Sequence, residues 1–126
     1  IHGRPVDKLF WDIDDEEKLT QGILSSTPDK HFEGLICADS HRPFIRSIKS
    51  GYVMNTGSIG NSLGIPNAHA LLIEGDLNET KKTPFKTTFL CVPYDNQKAA
   101  RIAENCEAMP LKEAYIAEIL TGVYSR

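Results

Sequence analysis

Phe44-Ile45-Arg46-Ser47-Ile48-Lys49-Ser50-Gly51-Tyr52-Val53-Met54 is the stretch from which the fold is read. β-Branched and aromatic residues flank Lys49-Ser50-Gly51, the pattern of two antiparallel strands around a tight turn. A hairpin returns the chain to its start. The segments on either side, Cys37-Ala38-Asp39-Ser40-His41-Arg42-Pro43 and Asn55-Thr56-Gly57-Ser58-Ile59-Gly60, are therefore expected as loops at the same end of one sheet, a few residues' width apart.

Outward from the hairpin, strand and helix alternate. Asp14 with Glu17 three residues later has capping-box spacing, and Leu19, Ile23 and Leu24 continue it as the apolar stripe of a helix to about Ser25. Gly34-Leu35-Ile36-Cys37 is a short apolar run between polar residues, which predicts a buried strand delivering Asp39 and His41 from its end. Residues 55–67 are rich in Gly, Asn and Pro and read as too polar for a core. Ala68 to Glu74 and Lys86 to Val92 are expected strands, joined by a charged turn at Gly75-Asp76-Leu77-Asn78. Asp95 is positioned to cap a helix whose Ala99, Ile102, Ala103 and Cys106 share a face. Pro110 is expected to start another helix that stops at Gly122.

Composition narrows the class. At 126 residues and 40% hydrophobic residues, the chain is long enough for one core and is expected to form a single domain over residues 1–126. A net charge of −3 gives no general attraction to nucleic acid or anionic membrane. No apolar run reaches spanning length. Cys37, Cys91 and Cys106 have no C-x-x-C spacing, and Cys37 and Cys91 lie in apolar runs, which suits buried reduced thiols of a cytoplasmic protein.

Three loop motifs, each behind an apolar strand, carry a resemblance. Ile1-His2-Gly3, Ala38-Asp39-Ser40-His41-Arg42-Pro43 and Asn55-Thr56-Gly57-Ser58-Ile59-Gly60 resemble, in order and spacing, the late motifs of the calcineurin-like metallophosphoesterases, especially the small bacterial and archaeal phosphodiesterases. Those motifs read H-G, G-H-x-H-x-P and N-P-G-S-x-G. Val92-Pro93-Tyr94-Asp95 resembles a strand-to-helix junction near the end of the same proteins. Ala38, Asp39 and Thr56 depart from the pattern, standing in place of Gly, His and Pro. The family's Asp-x-His, Gly-Asp and Gly-Asn-His segments lie N-terminal to its H-G motif, which resembles His2-Gly3 here, so the chain is expected to be the C-terminal half of a longer domain.

The resemblance implies an α/β fold: part of a β-sandwich flanked by helices, with mostly antiparallel strands in this portion. It implies hydrolysis of phosphate esters by a hydroxide shared between two divalent metal ions, Mn²⁺ foremost, with Mg²⁺, Fe²⁺ or Zn²⁺ as alternatives. His2 and Asp39 would hold one ion and His41 the other, and residues beyond this chain would complete both shells. Asp39 is a shorter, anionic ligand that favours Mn²⁺ or Mg²⁺ over Zn²⁺ and weakens Lewis acidity. It is equally a residue that closes Asx-turns. This portion alone is expected to be inactive, and its uncovered sheet to require an N-terminal half or a second copy. Substrates would be small phosphoesters or nucleotides. The other reading is a non-catalytic scaffold of the same fold.

Simpler roles are open for the individual residues. His41 suits a hydrogen-bonded loop histidine, and His2 a residue near a chain end. Gly57 and Gly60 suit turn geometry, with backbone N–H groups near Gly57 able to approach an anion. His31 and His69 read as ordinary surface or strand-edge histidines, Arg42 as solvated, and Phe10 and Trp11 as packing a loop onto the core.

Overall fold

The described residues build two small sheets and three helices. The computed structural model describes residues 15–26, 34–38, 40–49, 51–76, 78 and 83–125. His2, Asp39, Phe10, Trp11 and His31, and the cap expected at Asp14, lie outside the described residues.

Helix α1, Glu16–Ser26, is capped one position later than the spacing predicted. The Asp15 carboxylate accepts the Lys18 N–H at 3.0 Å and its carbonyl accepts the Leu19 N–H at 3.1 Å. Asp15 satisfies amides that the first turn leaves without partners. Those bonds, with the Lys18 ammonium at 3.3 Å, hold its carboxyl below the usual carboxylate range. Leu19 enters the core from this helix, alongside Leu35, Cys37 and Val53, with Phe44 and Ile48 packed against them.

Strands β1 (Gly34–Cys37), β2 (Phe44–Ile48) and β3 (Gly51–Asn55) form one sheet in the order β1-β3-β2. The hairpin is as predicted: β2 and β3 are antiparallel, with Ile48 opposite Gly51 and Phe44 opposite Asn55. At the turn, the Lys49 N–H bonds Glu16 Oε1 at 2.9 Å and ties the hairpin to α1. β1 pairs with β3 in parallel, Cys37 opposite Asn55, so their carboxyl ends finish side by side. β1 is not buried on both faces as its apolar run suggested. Leu35 and Cys37 face the core, while Ile36 alternates to the other side and is exposed.

Strands β4 (Ala68–Glu74) and β5 (Lys86–Val92) have their predicted limits and form a separate antiparallel ladder, Ala68 opposite Val92 and Glu74 opposite Lys86. That last pair closes as an exposed ion pair at 2.9 Å. The rings of Tyr52 on β3 and Phe85 before β5 meet edge to face at 6.0 Å, joining the sheets. Cys91 is exposed rather than buried, because its strand is covered on neither side at that point.

Helices α2 (Asn96–Glu104) and α3 (Lys112–Thr121) pack on each other. Asp95 caps α2 as expected, accepting the Lys98 N–H at 2.8 Å. The buried face is Ala100 and Ala103, with Ile102 63% exposed and Cys106 exposed. Small side chains admit the neighbouring helix closely, and Ile102 falls on the opposite side of the turn. Pro110 does not open α3: Leu111 adopts the left-handed conformation at φ 51° and the helix begins after it. Its end is as predicted. Gly122, at φ 70°, bonds the Glu118 carbonyl at 2.7 Å.

Candidate functional site

Parallel pairing of β1 and β3 sends two loops from one edge, and a dense set of bonds fixes one against the other. Thr56 N–H bonds the Cys37 carbonyl at 2.9 Å, and Leu63 N–H bonds the His41 carbonyl at 3.1 Å. The Asn55 side chain, fully buried, donates to Ser40 Oγ at 3.1 Å and accepts the Gly57 N–H at 2.9 Å. A single amide thus bridges both loops. Thr56 adds a ladder bond that proline at this position would lack a hydrogen to make. The departure from the N-P-G-S pattern therefore strengthens the join.

Gly57 stands where three segments cross. Its φ is +74°, and a Cβ there would lie 2.8 Å from the Cβ of His69 and 3.3 Å from Pro43 Cδ. A side chain would separate β4 from both loops. Gly57 therefore supplies close approach as well as turn geometry. Its N–H is occupied by Asn55, so that group is not offered to an anion. Gly60 has open space around it.

The loop of residues 55–67, whose composition read as too polar for a core, is buried in part. Asn55, Asn61, Ser62 and Leu63 are buried. They are covered because α3 docks on them: Asn61 Nδ2 donates to Glu118 Oε2 at 2.7 Å, and Gly64 N–H bonds the Gly122 carbonyl at 2.8 Å. Asn96 Nδ2 lies 2.6 Å from both the Pro66 and Ile119 carbonyls and pins the far end. The polar residues are inside because the fold supplies their partners. Asn61 Oδ1 is buried without one among the described residues.

These loops and the start of β4 surround a depression of about 510 Å³, lined by His41, Gly57, Ser58, Gly60 and His69 among others. His41 takes the left-handed conformation at φ 58°, a region in which histidine is over-represented, and is part-exposed at the rim. His69, read from the sequence as a surface or strand-edge histidine, is placed elsewhere by the structure. It is 6% exposed, its N–H bonds the Ser58 carbonyl at 2.9 Å, and its Nδ1 is hydrogen-bonded to Ser62 Oγ. One signal for it was present. His69, Leu71 and Ile73 share strand parity, which puts this imidazole on an apolar face.

Of the three expected metal ligands, the structure places His41 at the depression, while His2 and Asp39 fall outside the described residues. The described residues contain no group of three His, Cys, Asp or Glu side chains able to hold an ion. They supply one imidazole of the expected set. No helix among them is long and apolar enough to cross a membrane. Comparison with known protein families, with curated proteins and with solved structures finds no match to this chain.

Proposed function

We propose that this chain provides one wall of a metal-dependent phosphoesterase site, in a β-sandwich of metallophosphoesterase type that a second half or a second copy completes. The observation that supports it is the convergence of the His41 loop and the Asn55–Gly60 loop at the carboxyl ends of two parallel strands. That edge is where open α/β sheets bind ligands. Loops bonded rigidly to the sheet behind them hold ligand groups in place better than mobile ones do.

His2, Asp39 and His41 would hold divalent ions, Mn²⁺ foremost. When bound, such ions polarise a phosphoryl oxygen and make coordinated water acidic enough to attack at neutral pH. His41 is held through its carbonyl, and its imidazole makes no hydrogen bond to a described residue. The Asn55 bridge keeps its loop from drifting away from Gly57. Small phosphoesters or nucleotides are the substrate class.

Mn²⁺ titration of the ¹⁵N-labelled chain tests the reading, since the paramagnetic ion broadens nearby signals. Broadening should concentrate at residues 38–42 and 55–60. Replacing a ligand outright, as in His41→Ala, should weaken Mn²⁺ affinity at least as much as loss of an outer partner does, about 10-fold or more. Equal affinity in His41→Ala, or uniform broadening, refutes a metal site here. Asp39 is what favours the non-catalytic scaffold. If Asp39→His tightens Mn²⁺ binding from an undetectable level, the scaffold reading is the correct one.

A further inference from the structure

Two imidazoles border one depression, and their surroundings differ. His41 is at the rim, held by its backbone. His69 is buried, held by its ring, and its position is set by Gly57 on one side and Ser62 on the other.

The Ser62 hydroxyl decides which nitrogen of His69 carries the proton. Ser62 is 2% exposed, so its hydrogen must find an acceptor within the protein. Its oxygen already accepts the Ser58 N–H at 3.4 Å. Its other partner among the described residues is His69 Nδ1. A neutral imidazole has one donor and one acceptor nitrogen. If the hydroxyl hydrogen points to Nδ1, that nitrogen offers its lone pair and the proton is on Nε2. A ring protonated at Nε2 has no lone pair there for a metal ion, so in that form His69 is a donor and not a further ligand.

We infer that His69 Nε2–H is a hydrogen-bond donor to an anionic oxygen bound in the depression, aimed by Ser62 and distinct in role from His41. Nε2 makes no hydrogen bond to a described residue. The N–H groups of Ile59 and Gly60, which line the same depression, likewise have no bond to a described residue and supply further donors. Ile59, Gly60 and His69 line one hollow, and no carboxylate is among its described lining residues, which suits an anionic oxygen beside the cations proposed at His41. The choice of a phosphoryl oxygen as that anion rests on the function proposed above.

Two measurements on the full chain test it. Long-range ¹H–¹⁵N correlation of the imidazoles reads the tautomer directly, and the Nε2–H form is expected for His69. Ser62→Ala should convert it to a mixture. Titration with inorganic phosphate should shift the His69 ring and the Ile59 and Gly60 amides. A hydrogen bond to a charged group is worth enough that His69→Leu should weaken phosphate binding about 10-fold. His69→Gln, whose amide nitrogen stands near the place of Nε2, should restore it to within about threefold of the wild type.

A merely structural histidine would show no such rescue. An Nδ1–H tautomer in the wild type overturns the inference, as does phosphate affinity in His69→Leu equal to the wild type. Should His69→Leu fail to fold, the Ser62→Ala pair of readouts, tautomer and phosphate shift, decides the matter alone. The Mn²⁺ response at His41 is a separate signal: a normal phosphate response at His69 without it supports the donor and refutes the metal reading. The reverse pattern refutes the donor and leaves the metal reading standing.

Discussion

The two sheets are built from strands of similar apolar content and bury them very differently. In β1 and β3, Leu35, Cys37, Val53 and Met54 are all buried. In β4 and β5, Leu72, Ile73, Phe89, Leu90 and Val92 are 37–54% exposed, and the best-buried residue of the ladder is a histidine. Covering elements account for the contrast. α1 contributes Leu19 to the core of the first sheet, whereas the second ladder meets the rest of the protein where His69 enters the loop cluster and where Phe85 meets Tyr52. Burial in this chain follows the place where loops, ladder and α3 converge, and that is also the place of the candidate site.

Truncating the first sheet and the second should therefore differ several-fold in effect. Leu35→Ala empties a closed core and should cost about 3 kcal/mol, read from the urea midpoint. Val92→Ala, on the uncovered ladder, should change stability by less than about 0.5 kcal/mol. Similar losses at both positions would mean that the ladder is covered in solution, as by the half-sandwich or second copy proposed above.

The next effect falls where α3 meets the buried loop. A Cβ on Gly122 would approach the Gly64 carbonyl oxygen to 2.5 Å, and the residue already has φ +70°. Gly122→Ala should cost at least about 2 kcal/mol, combining left-handed strain with a forced shift of α3. The site should register the change, because Gly64 and Asn61 belong to the loop that holds Ser62. Unchanged His69 ring signals in that variant would separate α3 from the site.

Smaller effects test the helix ends. Asp95→Ala removes the bond to Lys98 N–H and should lower stability by about 1 kcal/mol. Asp15 gives a pH signature. Its carboxyl titrates below the ordinary range because the ionised form accepts the Lys18 N–H, so α1 gains stability from it above the unfolded value of about 4. That contribution disappears as the pH falls through the lower folded value. Asp15→Asn should flatten the acid limb of an α1 helicity titration by circular dichroism; an identical limb would exclude Asp15 as its source.

Local readings succeeded where a short stretch contains its own physical cause. The Phe44–Asn55 hairpin, the limits of β4 and β5, the Asp95 cap and the Gly122 stop follow from turn chemistry, strand propensity and capping, all local in sequence. The expectation of two neighbouring loops followed from the hairpin alone. Readings failed where composition stood in for contact. Residues 55–67 look too polar for a core because they are rich in Gly, Asn and Pro, yet Asn55, Asn61 and Ser62 are buried. Their partners come from β1's loop, from α3 and from β4. His69 was misread for the same reason: burial of a polar ring depends on a Ser62 hydroxyl and a Glycine-57 approach that no pattern within β4 reveals.

By itself, then, the amino-acid order determined the hairpin, the ladder, the Asp95 cap, the Gly122 stop and the common end of the loops at His41 and Gly57, since each is governed by neighbours in the chain. Tertiary structure alone decided the parallel pairing of β1 with β3, the burial of the Asn55–Leu63 loop and the enclosure of His69. Those depend on hydrogen-bond partners far away in sequence, Cys37 for Thr56 and Glu118 for Asn61, and a polar side chain is stable indoors only once such partners have arrived.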